Sequence, residues 1–114
     1  MPHFIVDCSE SILESYDEEY IIEQLYLVAD DSDLFNSNDI KVRLNTFKKY
    51  SVGNTRQDFI HVFAHIMQGR TIEQKAALSQ HVVEKLTTLF PGIANIAMNI
   101  SDFEKATYCN RSML

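Results

Sequence analysis

The sequence begins Met1-Pro2-His3, and the second residue is the strongest chemical candidate in the chain. Methionine ahead of a small residue is commonly removed during maturation. Its removal leaves Pro2 as a chain terminus carrying a free secondary amine. A terminal amine titrates near about 8 in model peptides, and desolvation or neighbouring cations bring that value down. Such a group is a neutral base near neutral pH without help from histidine or a carboxylate. The pyrrolidine ring also fixes where the nitrogen sits.

A base of this kind needs cations to hold an anionic reactant. Arg70 stands just before Thr71, which has the form of a helix cap, so its guanidinium and the free amides there could share one carboxylate. Lys41 and Arg43 are two apart, which places both on one face of a strand. The charge map is uneven. Residues 1–40 hold eleven acidic and no basic residues, whereas residues 41–114 hold all ten basic and five acidic ones. This pattern predicts a cationic pocket for a small anionic carboxylate within an acidic protein; the plainer alternative is an acidic solvated helix face with scattered surface cations. A net charge of −6 and a pI near 5.0 argue against nucleic acid or an anionic membrane as the main partner.

Other chemistries are poorly represented. The chain has no glycine-rich dinucleotide fingerprint, P-loop, H-E-x-x-H or paired C-x-x-C motif. His61 and His65 on a strand lie about 13 Å apart, too far to share a metal ion. His81 falls on a helix without a partner. No metal or cofactor is expected. Cys8 and Cys109 have no basic sequence neighbour, so both read as packing residues. Two cysteines and an N-terminus without a basic start or long apolar core fit a reducing, cytoplasmic compartment.

The elements that must position these residues follow from periodicity. Residues 2–8 read as a first strand. A helix from about Ser15 is predicted by the capping-box pattern Ser15…Glu18, with Ile21, Leu25, Val28 and Ala29 as its buried stripe. A second strand at about 39–50 sets Ile40, Val42, Leu44 and Thr46 against Lys41, Arg43 and Asn45 on its other face. Ser51-Val52-Gly53-Asn54 signals a turn. A third strand at about 57–67 alternates Ile60, Val62, Ala64 and Ile66 with Phe59, His61, Phe63, His65 and Met67. A second helix opens at the Thr71…Gln74 box, with a stripe read as Ile72, Ala76, Ser79, Val83, Leu86 and Phe90, and Pro91-Gly92 stops it. Residues 95–103 alternate as a fourth strand, and 104–114 are weakly specified.

This order gives one α/β (α+β) domain over residues 1–114, built from two β-α-β units. Each helix joins a pair of parallel strands. The result is a four-stranded mixed sheet with two helices on one face. The uncovered face carries the His, Phe and Met side of the third strand and asks for a partner chain.

Three segments are familiar. Pro2-His3-Phe4-Ile5-Val6-Asp7-Cys8-Ser9-Glu10, then Ile40-Lys41-Val42-Arg43, then Phe59-Ile60-His61-Val62 with Gly69-Arg70-Thr71 resemble the 5-carboxymethyl-2-hydroxymuconate delta-isomerases of the tautomerase superfamily. The resemblance covers roughly residues 2–104. It implies a homotrimer whose sheets enclose a central core and a cofactor-free isomerase of aromatic catabolism. Its amino-terminal proline, Pro2 here, acts as general base and then acid on an unsaturated 2-hydroxy di- or tricarboxylate. Arg70 matches a carboxylate-binding arginine, and Lys41 or Arg43 is left to bind a second carboxylate. Lys41 departs from the family pattern, which has arginine; lysine keeps the charge without the planar two-point grip. A trimeric binding protein without catalysis, on the same fold, is the alternative.

Overall fold

In the computed structural model, which describes residues 1–114, the strands are β1 (His3–Ser9), β2 (Lys41–Phe47), β3 (Phe59–Met67) and β4 (Asn95–Phe103). The helices are α1 (Glu18–Asp31) and α2 (Ile72–Leu89), with short 3-10 turns at Glu10–Glu14, Ser37–Asp39, Lys105–Thr107 and Arg111–Met113. The strands lie in the order β2-β1-β3-β4. β1 and β2 are parallel, β3 and β4 are parallel, and the two pairs meet antiparallel through β1 and β3. This is the mixed sheet expected from two β-α-β units.

Alternation along the strands sorts the side chains. Phe4, Val6 and Cys8 of β1 and Ile60, Val62, Ala64 and Ile66 of β3 are buried beneath the helices. There they meet Ile21, Leu25 and Ala29 of α1 and Leu78, Val82 and Leu86 of α2. Val28 is half-buried at the edge of this core. Ser9 is the one buried polar residue. Its hydroxyl donates to Asp58 Oδ1 at 3.0 Å and accepts from the Phe59 amide at 3.1 Å, which ties the end of β1 to the start of β3. Between β2 and β3, Gly53 and Asn54 take φ of 55° and 61°, and a bridge pairs Val52 with Thr55. Both central residues have the positive φ that a tight two-residue reversal requires.

Two expectations need correction. The Ser15…Glu18 box does not form. Buried Ile12 draws residues 10–14 into a 3-10 turn, and the Ser15 and Tyr16 amides both donate to the Ile12 carbonyl. The helix therefore starts three residues later, with Asp17 at its N-cap and Glu18 and Glu19 in its first turn. The stripe on α2 is also phased differently. Leu78, Val82 and Leu86 form the buried row, whereas Ile72 is 77% exposed and Ala76 faces outward. A four-residue spacing of large side chains removes more apolar surface from water than a row built on Ala76 and Ser79. The α2 cap is as expected: Gln74 N donates to Thr71 Oγ1 at 3.1 Å and Thr71 N to Gln74 Oε1 at 2.9 Å.

The other sheet face is uncovered in the single chain. It presents His3, Ile5 and Asp7 beside Lys41, Arg43 and Asn45 on one side and His61, Phe63 and His65 on the other, following the strand register. The C-terminal tail returns to the start of the chain. Tyr108 stacks on Phe103 and its hydroxyl donates to the Met1 sulfur.

Candidate active site

β1 brings Pro2 to the sheet end where β3 finishes and α2 begins. Pro2 is buried, and its carbonyl accepts the Lys41 amide at 3.0 Å. Met1 and Pro2 line a cleft of about 300 Å³ with Phe35, Asn36, Asp39, Met67 and Arg70. The cleft therefore gathers the chain terminus, one guanidinium and one carboxylate between apolar side chains.

Arg70 is held rather than mobile. Its Nη2 donates to the Leu34 carbonyl at 2.7 Å and its Nη1 to the Met67 carbonyl at 3.2 Å. The guanidinium carbon lies 5.1 Å from the centre of the Phe35 ring, which itself meets Phe4 edge-on at 5.9 Å. Stacking and two carbonyl contacts fix the fork in advance, so less rotamer freedom is lost when it meets an anion. The expected sharing with the α2 terminus takes a different form. The cap already engages the Thr71 and Gln74 amides, and the hydrogen bonds of Arg70 run to carbonyls of other segments.

The chain terminus sits in a setting that disfavours its charge. The terminal amine here is that of Met1, and it lies 3.8 Å from Asp39 Oδ2, which favours protonation. Partial burial outweighs that pull, and Lys41 and Arg70 add repulsion, so the amine is held below the usual range for a terminal group.

Lys41 and Arg43 are not drawn into this cleft within one chain. Lys41 pairs in register with His3, and Arg43 with Ile5, so both project from the uncovered face while Pro2 alternates with His3 toward the other. Lys41 Nζ donates to the Asp39 carbonyl at 3.0 Å, and Arg43 Nη1 lies 3.0 Å from His3 Nδ1. That contact makes Nδ1 the acceptor of a neutral imidazole. Burial first, then Arg43 and Lys41, push the His3 pKa down. His61 is held by Asn99 and rests on Phe63, and its spacing from His65 is that of a strand. His81 is exposed on α2. Burial pushes the Cys8 thiol up to about 11, whereas Cys109 is exposed.

Sequence reasoning missed Asp39, Phe35 and Met67. One signal was present: Asn36-Ser37-Asn38-Asp39 is rich in turn formers, and Asn36 Oδ1 accepts the Asn38 amide at 3.0 Å. This turn delivers Asp39 to the chain terminus.

Comparison with known proteins fixes the family. A profile of 5-carboxymethyl-2-hydroxymuconate isomerases matches residues 2–111. The chain belongs to that family. It is accordingly an isomerase. The 5-carboxymethyl-2-hydroxymuconate Delta-isomerase of Escherichia coli is 24% identical over 106 residues, covering 91% of this chain and 84% of the relative. The crystal structure of a 5-carboxymethyl-2-hydroxymuconate isomerase from Deinococcus radiodurans superposes with a TM-score of 0.83 at 20% identity, covering 96% of this chain and 88% of the other. A fused 4-OT described as an asymmetric trimer gives a TM-score of 0.80 at 16% identity, covering 96% and 92% of the two chains. These likenesses establish the tautomerase-type fold.

Proposed function

We propose that the chain, once Met1 is removed, is a cofactor-free tautomerase acting on an unsaturated 2-hydroxy carboxylate of the 5-carboxymethyl-2-hydroxymuconate type, in the breakdown of aromatic compounds. The observation that carries this reading is the shared cleft. Pro2 and Arg70 line it together, and the Met1 amine beside them is held below its ordinary pKa, a setting that Pro2 inherits when Met1 is removed.

The neutral Pro2 nitrogen takes the enol proton of the 2-hydroxy group. The electron pair left behind spreads over the oxygen and the conjugated carbons. The Pro2 ammonium then returns the proton to a distant carbon, so the product is an isomer and the amine is regenerated. Arg70 holds the substrate carboxylate and the charge developing next to it. A well-placed donor aimed at developing charge is worth roughly 3–4 kcal/mol. The family resemblance implies a di- or tricarboxylate, whereas the cleft's own fixed charges are one guanidinium and one carboxylate. Within one chain Lys41 acts on this site only through its charge; direct contact by Lys41 or Arg43 would come from a neighbouring copy. A homotrimer closed over the uncovered sheet face supplies that neighbour.

The test is Pro2→Ala, assayed for ketonisation of 2-hydroxymuconates alongside the parent chain, with intact mass recorded for both. Loss of a general base costs about 10²–10⁴ in turnover. Parent chain lacking Met1 with that loss in the variant supports the reading. Wild-type turnover in the variant, or active protein that retains Met1 and so has no basic Pro2 nitrogen, removes Pro2 as the base; a Met1-processed parent that turns over none of these substrates leaves the non-catalytic binding protein as the better account.

A further inference from the structure

The C-terminal tail has no part in the proton transfer just described, yet it is fastened beside the same cleft. It is tied to the turn between β3 and α2 that carries Arg70. The Gln68 amide donates to the Phe103 carbonyl at 3.1 Å, and the Lys105 amide donates to Gln68 Oε1 at 2.6 Å. Phe103 stands in register with Met67, a residue of the cleft wall. The Tyr108 ring stacks on Phe103 with centroids 5.5 Å apart. None of these holds involves Met1, so they survive its removal.

The phenol is also oriented. Asn110 Nδ2 donates to the Tyr108 oxygen at 3.3 Å, which occupies a lone pair and leaves the O–H free to donate elsewhere. While Met1 is present, that O–H donates to its sulfur, a weak acceptor. Met1 lines the cleft beside Pro2, so one removable side chain separates the phenol from that space. Its amine lies toward Asp39 and its sulfur toward Tyr108. Removal of Met1 therefore opens the cleft toward an uncharged donor, at the end away from the Asp39 carboxylate.

A substrate of the class proposed above brings a second carboxylate to a cleft whose one lining cation, Arg70, holds the first. A carboxylate oxygen in place of the Met1 sulfur gives Tyr108 a charged acceptor, and hydrogen bonds to charged groups are the stronger ones.

We propose that Tyr108 is a substrate-binding residue: in the Met1-processed chain its O–H donates to the second carboxylate of a 2-hydroxymuconate-type diacid while Arg70 holds the first. This rests on the assignment of the Pro2 and Arg70 cleft as the substrate site.

Tyr108→Phe tests it, because phenylalanine keeps the ring on Phe103 and deletes only the donor. Two enols are compared in Met1-processed protein, 2-hydroxymuconate with two carboxylates and 2-hydroxypenta-2,4-dienoate with one. The variant is expected to lose about tenfold or more in kcat/KM on the diacid, mainly through KM, and to stay within about twofold on the monoacid. An unchanged diacid value, or an equal loss on both enols, overturns the proposal while leaving the Pro2 base intact. Unreactive analogues keep the two readings separable. In calorimetric titration, Tyr108→Phe should weaken binding of cis,cis-muconate by about tenfold and leave sorbate unchanged. Muconate binding equal to that of the parent overturns the proposal. If neither enol is turned over, the Pro2 base falls, and this titration alone decides for or against Tyr108.

Discussion

At the scale of single residues, the account divides the cations by what already holds them. Arg70 is braced by two carbonyls and a ring. In the proposed reading its remaining donors hold the substrate, so its loss should be felt in kcat/KM. Arg70→Ala removes a charged hydrogen-bonding partner, worth about 1.5–3 kcal/mol and hence roughly 10- to 150-fold in kcat/KM. Arg70→Lys should recover part of this, because the charge returns without the forked grip. Steady-state kinetics on variants with unchanged circular dichroism checks both. Equal activity of the alanine variant and the parent would remove Arg70 from the site. Pro2 and Arg70 were singled out by position, at the chain start and just before the Thr71 cap, and the structure brings both to one cleft. Asp39 was not, because nothing in its local sequence says that the turn after Asn36 folds against the chain terminus. Lys41 and Arg43 illustrate the converse. Their shared strand face was legible from alternation, but the pairing with His3 that turns this face away from Pro2 is a tertiary fact.

At the scale of elements, the strands were easier to read than the helices. β4 coincides with the predicted span 95–103, and β3 differs only at its start. Period-two alternation is a strong signal when one face is covered. Capping patterns were less reliable. The Thr71 box forms, whereas Ser15 is captured by the 3-10 turn that Ile12 anchors. The α2 stripe misled because Ile72 looks like a core residue and Leu78 lies off the row chosen from it. The difference can be measured. Leu86→Ala should cost about 2–5 kcal/mol by removing a buried side chain. Ile72→Ala, at 77% exposure, should stay within about 0.5 kcal/mol. Chemical denaturation of the two variants gives the comparison, and a reversed order would refute the observed phase.

At the scale of the whole molecule, both helices cover one side of the sheet and nothing in the chain covers the other. That side mixes Ile5, Phe63 and Met67 with His3, His61 and His65. Assembly into a homotrimer is expected to bury it and to bring Lys41 and Arg43 toward other copies. Light scattering coupled to size-exclusion chromatography should then give three times the chain mass of 13.1 kDa. A monomer at micromolar concentration would contradict the assembly and leave Lys41 and Arg43 on an open surface. This level was legible only in outline. Two β-α-β units and a bare face follow from the element order, but the number of copies depends on interface geometry outside one chain.

The claim beneath all three scales is that the nitrogen of Pro2 is free and neutral when it meets the substrate. Burial first, then Lys41 and Arg70, lower the pKa of the Met1 amine, with Asp39 opposing them without prevailing; the same groups are expected to act on the Pro2 amine once Met1 is removed. A lowered pKa means that the base form is gained as pH rises through a value below about 8. The acidic limb of kcat/KM should fall at that same value. Titration of ¹⁵N-proline-labelled, Met1-processed protein by NMR measures it directly. The account predicts a Pro2 amine titrating below 8 and coinciding with the kinetic limb; a nitrogen that does not titrate, or one that titrates at or above 8 apart from the kinetic limb, would contradict it.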